Sequence, residues 1–220
     1  MPGSGAGGVG AIVVAAGRGD RFGAPKQFLE LAGTRLVDRA VDACVDACDA
    51  VVVVLPADVA WDGRPVHAAV AGGATRSDSV RAGLAALPAT VDVVVVHDAA
   101  RPLASRALFA AVIDAVRSGA DAAVPALPVP DTLKRVDGAR VTATVPRDDL
   151  VAVQTPQAFR VDALRVAHAT DASATDDAAL VEQRGGCVVV VPGDVANFKI
   201  TSPRDLELAA AVHAARGGAA

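Results

Sequence analysis

Arg21 and Lys26 stand in the stretch AAGRGDRFGAPKQF (15–28), which directly follows the apolar run GAIVVA. A glycine turn leading to two long cationic side chains suits phosphate. At Gly17 and Gly19 the main chain can bring N–H groups close to phosphate oxygens, and the two cations answer their charge. Neither common phosphate-loop pattern fits, however. The dinucleotide fingerprint G-x-G-x-x-G fails at its third glycine, where Phe22 stands, and no Gly-Lys-Ser/Thr follows as a P-loop requires. A chemistry that needs cations without a Walker lysine is nucleotidyl transfer, in which charge spreads over the reacting phosphate and the leaving pyrophosphate.

Three further stretches carry residues of matching type. In GGATRSDS (72–79), two glycines precede a Ser/Asp-rich helix start. This is either an ordinary strand-to-helix turn or a pocket that reads a base edge through backbone groups at Gly73 and the Ser79 hydroxyl. In VVVVHDAARP (93–102), Asp98 arrives at the end of an apolar strand, where a buried carboxylate requires a cation or a metal. It is either the partner of Arg101 or a Mg²⁺ ligand, and Arg101 is free to take a second anion in the latter case. In NFKIT (197–201), Lys199 is a cation in otherwise apolar company. His97, like the scattered His67, His168 and His213, reads as scaffold, because none has metal-ligand spacing.

The elements that must position these residues follow from hydrophobic pattern. AIVVAA, AVVVVLP, VDVVVVHD, DAAVPALPV and CVVVVPG are short and uniformly apolar, as strands buried on both faces of a parallel sheet are. Between them lie helical segments with readable caps. Ser202 caps a helix with Pro203 at its first position, Asp205 completing a capping box and Gly217 closing it. Ser105 opens another helix that Gly119 ends, and Thr175 is the expected cap of DDAALVEQRGG. Strand–helix alternation of this kind predicts a single α/β domain, an open and mostly parallel sheet flanked by helices. Its ligand should lie beyond the carboxyl ends of the strands, where all four stretches fall. The segment 130–150 breaks the alternation. Its VDGAR predicts a hairpin turning at Asp137-Gly138, a projecting arm of the kind that serves assembly.

Composition narrows the classes. With 220 residues, 52% of them hydrophobic, the chain can bury one large core. A net charge of −4 gives no reason to expect nucleic acid or an anionic membrane as partner. Three cysteines make no disulfide framework. Cys44, Cys48 and Cys187 are expected to be small buried hydrophobes. The tail 1–8, MPGSGAGG, is uncharged and glycine-rich and lacks the features of a signal peptide, and no apolar run reaches the length of a membrane span. A cytoplasmic protein is the expectation, with residues 9–220 as the working domain. The chain ends soon after its last helix, so no second catalytic domain is expected.

Seven motifs, AAGRGDRFGAPKQF, GGATRSDSVRAGL, VHDAARP, PDTLKRV, TPQAF, TDDAALVE and NFKIT, occur in one order and spacing from about Val9 to the last helix. Together they resemble the 2-C-methyl-D-erythritol 4-phosphate cytidylyltransferases of the non-mevalonate isoprenoid pathway. The resemblance implies a Rossmann-like nucleotidyltransferase fold. It also implies attack of the sugar-alcohol phosphate on the α-phosphorus of CTP, with Mg²⁺ or another divalent cation present. Carried onto this sequence, Gly17 to Arg21 and Lys26 would hold the triphosphate, with Arg21 and Lys26 stabilising the transition state. Ala15, Ala16, Gly73 and Ser79 would recognise cytosine. Asp98 and Lys199 would lie between the substrates, Asp98 as metal or substrate ligand. Arg101 and Thr155 would serve the acceptor. The resemblance further implies a homodimer of interlocking arms, in which Thr132 and Arg147 reach the neighbouring subunit's site. One departure is Ala196, where many members carry an acidic residue before the Asn-hydrophobe-Lys motif.

Three other readings stand beside this one. Ribitol 5-phosphate cytidylyltransferases use nearly the same nucleotide loops, and differ on the acceptor side at Arg101, Thr132, Arg147 and Thr155. A nucleotide-binding module without turnover would not require Arg21, Lys26, Asp98 and Lys199 together. A dehydrogenase is the weakest, given the failed third glycine.

Overall fold

The structure is a computed structural model that describes residues 7–17, 25–169 and 174–217. Its elements in chain order begin with β1 (Gly8–Val14), a short 3-10 turn (Lys26–Phe28), a small hairpin of β2 (Glu30–Leu31) and β3 (Thr34–Arg35), and α1 (Leu36–Val45). There follow β4 (Ala50–Leu55), β5 (Ala68–Ala71), α2 (Arg76–Ala86), β6 (Val91–Asp98), α3 (Arg106–Arg117) and β7 (Ala122–Pro128). The rest are β8 (Leu133–Asp137), β9 (Arg140–Val145), β10 (Val151–Val153), β11 (Gln157–Arg160), α4 (Val161–Ala167), α5 (Asp177–Glu182), β12 (Val188–Pro192) and α6 (Pro203–Gly217).

Among the described residues, eight strands make the central sheet. β1, β4, β5 and β6 run parallel, in the order β6-β1-β4-β5. Beyond β6 the short β11 runs antiparallel to both β6 and β7, and β12 pairs parallel with β7. β10, just upstream of β11, pairs antiparallel with the far end of β7. The expected mostly parallel sheet is present, but the antiparallel β10 and β11 are an addition that the valine runs did not announce.

Uniformly apolar strands are explained by burial on both faces. Val9, Ala11 and Val13 of β1, with Val93 and Val95 of β6, pack on one side against Val37 and Val41 of α1 and Phe109, Val112 and Val116 of α3. Ile12, Val94 and Val96 face the other side and meet Val80 and Leu84 of α2, Leu164 of α4 and Leu180 of α5. Period-two alternation therefore exists, but both phases are hydrophobic. Each of the valine, leucine, isoleucine and phenylalanine side chains stabilises the fold by roughly 1.5–3 kcal/mol relative to exposure. A third cluster of Leu31, Leu36, Leu103, Ile200 and Ala209 seats α6 beside the sheet.

Caps explain the helix starts, with two corrections. Ser202 and Asp205 form the expected capping box: the Ser202 N–H donates to Asp205 Oδ2 at 2.8 Å, and the Asp205 N–H to Ser202 Oγ at 3.3 Å. Ser105 caps α3 as expected. On α2 the cap is Thr75 rather than a residue of SDS, with Asp78 closing the box. On α5 it is Asp176 rather than Thr175, because the Asp176 carboxylate accepts from Ala179 N–H and is held by Gln157 Nε2 at 2.9 Å. The hairpin arm is present as β8 and β9, and its turn is Gly138-Ala139, since Asp137 pairs with Arg140 in the ladder. Gly138 has φ +55°, a conformation that glycine adopts without steric cost. Cys44 is buried as expected, but Cys48 is only half-buried and Cys187, just ahead of β12, is exposed. Of the tail 1–8, residues 1–6 lie outside the described residues, and Gly8 already belongs to β1.

Candidate active site

The cleft lies where the sheet and the ends of its parallel strands predict it. β1 ends at Val14 and its chain continues through Ala15, Ala16 and Gly17. β6 ends at Asp98, and the turn after β5 leads into α2. Backbone bonds lock these three exits together: Ala15 N–H donates to Val54 O at 2.8 Å, Ala99 N–H to Val14 O at 3.1 Å and Gly72 N–H to Leu55 O at 2.8 Å. The result is a cleft of about 650 Å³. It is lined by Ala15, Ala16, Gly17, Lys26, Gly73, Ser79, Asp98 and Lys199 from the sequence reading, together with Arg76.

Two features make the backbone approach close. A Cβ added at Gly72 would come within 2.3 Å of Ala16 Cβ and 2.8 Å of Ser79 Oγ, and one at Gly73 within 2.2 Å of Asp78 Cβ. Only glycine allows the loop before α2 to lie this near the one after β1. The buried Gln27 then ties the first loop down, its Nε2 donating to Gly17 O at 3.0 Å. Ser79 is buried on the first turns of α2 and donates its hydroxyl to Thr75 O at 3.0 Å.

Asp98 is the electrostatic centre. Its Oδ2 accepts from Lys199 Nζ at 2.6 Å, and its Oδ1 faces Arg76 at 3.4 Å. Burial opposes ionisation of this carboxyl most strongly, yet the charges of Arg76 and Lys199 outweigh it and hold the group well below the usual carboxylate range. The partner is therefore not Arg101, which sequence proximity had offered. Arg101 instead donates from Nη1 to Asn197 O at 2.8 Å, and its buried Nε has no partner among the described residues.

Arg76 is the residue the sequence reading missed. It was visible inside GGATRSDS, but its partners lie 22 and 101 positions away, beyond any local pattern. Its Nη1 donates to Asp177 Oδ2 at 2.6 Å, and Asp177 is fully buried on the first turn of α5. Lys26 is seated by a bond from Nζ to Ile200 O at 2.8 Å, next in the chain to Lys199. Two cations far apart in sequence are thereby brought to one wall of the cleft.

Thr155 and His97 support Asp98 from below. The Asp98 N–H donates to Thr155 Oγ1 at 3.1 Å, and that oxygen lies 3.2 Å from His97 Nδ1. His97 Nε2 lies 3.1 Å from Arg101 O, and a carbonyl only accepts, so the proton is on Nε2 and the Thr155 hydroxyl donates to Nδ1. Burial pushes the imidazole down to about 4, which keeps it neutral. His97 is scaffold, as read. Thr155 is buried and reaches the cleft through Asp98 rather than by lining it. Thr132 and Arg147 lie exposed on or beside the arm, outside the cleft, where Arg147 donates to Pro130 O. Gly19 and Arg21 lie outside the described residues.

An open, mostly parallel sheet whose carboxyl edge gathers glycine-bounded loops and, among the described residues, three cations and one carboxylate in a single cleft defines an α/β nucleotidyltransferase. Comparison with known proteins gives the family. Residues 9–214 match the family described as IspD, 2-C-methyl-D-erythritol 4-phosphate cytidylyltransferase, and the chain belongs to it. It is 49% identical to the 2-C-methyl-D-erythritol 4-phosphate cytidylyltransferase of Nocardia farcinica, over 92% of this chain and 93% of that one. It is 46% identical to a bifunctional enzyme IspD/IspF of Solidesulfovibrio magneticus, where it spans 89% of its own length but 54% of the relative. Among solved structures, the 2-C-methyl-D-erythritol 4-phosphate cytidylyltransferase of Thermus thermophilus superposes with a TM-score of 0.81 at 39% identity, covering 92% of this chain and 97% of that one.

Proposed function

We propose that the chain transfers the cytidylyl group of CTP to 2-C-methyl-D-erythritol 4-phosphate, releasing pyrophosphate. The observation that carries this reading is one cleft lined both by Lys26, Arg76, Lys199 and Asp98 and by Ala15, Ala16, Gly73 and Ser79. The names of the relatives favour this acceptor over ribitol 5-phosphate. An oxygen of the acceptor phosphate bonds to the α-phosphorus of CTP while the bond to the β-phosphate oxygen breaks. The attacking phosphate is already ionised near neutral pH, so no strong base is needed. The rate comes from positioning and from cations that meet the charge as it spreads.

In this reading Gly17, Gly19, Arg21 and Lys26 hold the triphosphate. Arg21 and Lys26 meet the transition state, while Ala15, Ala16, Gly73 and Ser79 take the base. Lys199 and Asp98 sit between the substrates, and Arg101 serves the acceptor. Thr155 contributes by fixing Asp98. Mg²⁺ characteristically takes one or two carboxylates and completes its shell with substrate phosphates. Asp98 is the one carboxylate lining the cleft among the described residues, so the donor set fits a metal that arrives with the triphosphate. Held there by Asp98, Mg²⁺ would supply positive charge to the phosphates.

The active form in this reading is a homodimer, with segment 130–150 as its arm and Thr132 and Arg147 completing the neighbouring subunit's site. Apolar side chains left open on the arm and on β10 support it: Val136, Val141, Val151 and Val153 are each more than two-fifths exposed. A cytoplasmic setting belongs to the same reading and suits three cysteines that are all free. Pyrophosphate release with CTP and Mg²⁺, measured in parallel with 2-C-methyl-D-erythritol 4-phosphate and D-ribitol 5-phosphate, tests it. A strong preference for the first is expected. A preference for the second moves the protein to polyol-phosphate metabolism, and release with neither removes the catalytic reading.

A further inference from the structure

Behind the cleft, a line of polar contacts runs from its wall to His168 at the end of α4. Lys199 meets Asp98 at 2.6 Å, Asp98 faces Arg76 at 3.4 Å, Arg76 meets Asp177 at 2.6 Å, and Asp177 Oδ1 lies 2.9 Å from His168 Nε2. The last two members do not line the cleft. Asp177 and His168 are 0% and 5% exposed, and their side chains pack between α4 and α5. A carboxylate only accepts, so Nε2 carries the proton of the contact with Asp177. Asp177 thus has two donors, one on each oxygen, and these fix both the plane and the position of its carboxylate. The guanidinium of Arg76 is fixed in turn, because Asp177 holds Nη1 while Asp98 stands by Nε and Nη2.

We infer that His168 is a positioning residue for the transfer reaction: it holds Asp177, through Asp177 the guanidinium of Arg76, and so sets the geometry of a cation in the cleft. The inference rests on the proposed function. The Asp98 contacts of Arg76 are long, so Asp98 alone restrains it weakly, and the short bond to Asp177 is its principal anchor. A buried carboxylate that loses one of its two donors turns toward the other. That movement shifts Arg76 or weakens its anchor. The acceleration from a charge near a reacting phosphate depends on where that charge is fixed before reaction, so the loss falls on turnover.

The test compares His168→Leu, His168→Gln, Asp177→Asn and the His168→Leu/Asp177→Asn double variant with the wild type. Each is assayed for kcat and KM with CTP and 2-C-methyl-D-erythritol 4-phosphate, alongside Tm. Expected is a roughly tenfold fall in kcat for H168L, within the range over which contacting residues couple. Recovery of most of it is expected in H168Q, whose amide N–H can reach Asp177. The double variant should be no slower than D177N alone, because both changes cut one chain. Should H168L not fold, His168→Asn, which withdraws the donor from the Nε2 position, takes its place in the same cycle. A lowered Tm with unchanged kcat and KM overturns the inference, since His168 would then be purely structural. So does a double variant whose losses multiply. Absence of turnover in the wild type overturns the proposed function and this inference with it, whereas an active wild type with normal variants overturns the inference alone.

Discussion

Lys199 Nζ stands 2.6 Å from Asp98 Oδ2, across 101 residues of chain. Asp98 ends β6 and Lys199 belongs to the segment that leads into α6, held by Ile200 N–H donating to Ala100 O at 2.8 Å. The pair therefore exists only once α6 has docked, which couples assembly of the cleft to folding of the last element.

Removing the carboxylate tests that coupling. Asp98→Asn leaves Arg76 and Lys199 facing an amide. Breaking a fully buried pair from one side costs about 3–5 kcal/mol, and this pair costs less because the Lys199 side chain is 37% exposed to solvent. A fall in Tm and a loss of turnover are both expected, read by thermal melting and pyrophosphate release. A variant as stable as the wild type would show that Asp98 carries no structural charge pairing.

Acid sensitivity has two sources with one sign. The folded-state Asp98 carboxyl lies below its ordinary value, so its contribution is complete above the carboxylate range and is lost as pH falls through it. His97 is lowered by burial from 6.5 to about 4, so the unfolded chain takes up a proton first as the pH falls. Its contribution is complete above pH 6.5 and is lost progressively down to about 4. It amounts to as much as roughly 3 kcal/mol. Urea melts between pH 7 and 4 should lose stability in the wild type, and His97→Gln should flatten that dependence.

The two loops can be separated by their glycines. Gly72→Ala forces a Cβ to 2.3 Å from Ala16 Cβ, so the loops must part. Overpacking of this kind costs roughly 1–3 kcal/mol, and KM for CTP should rise with it. Among the described residues, a Cβ at Gly17 meets nothing within 4 Å. Gly17→Ala should leave Tm unchanged and affect only KM for CTP. Equal Tm for both variants would contradict the close approach of the loops.

Much of this was legible in the sequence, for a physical reason. Doubly buried strands must be apolar throughout, so the valine runs marked β1, β4, β6, β7 and β12, and the polar residues just after them marked the cleft. The capping box at Ser202 and Asp205 is a local hydrogen-bond pattern and was readable as one. What local pattern cannot carry is pairing at a distance. Arg76 sat in a quoted motif without a role because Asp98 and Asp177 are its neighbours only in the folded sheet. For the same reason Asp98 was offered Arg101, its neighbour in sequence. The three-residue β10 and four-residue β11 lack the length that revealed the others, β11 carries no valine, and Thr175 and Asp176 are equally good caps until Gln157 is in place.

Assembly should depend on the arm. Val136 and Val141 are 58% and 56% exposed on β8 and β9. Val136→Asp with Val141→Asp should leave the melting curve of the sheet domain intact, shift the sedimentation coefficient to that of a monomer, and lower turnover with it. A wild type that sediments as a monomer, or a fully active monomeric variant, would contradict the proposed role of Thr132 and Arg147.

The most direct measurement is phosphorus NMR of the protein turning over CTP, 2-C-methyl-D-erythritol 4-phosphate and Mg²⁺. Cytidylyl transfer predicts a new pair of coupled resonances from a diphosphate ester, appearing in equal amount with inorganic pyrophosphate as both substrates decline. Unchanged spectra, or CMP and pyrophosphate with the acceptor untouched, would contradict it.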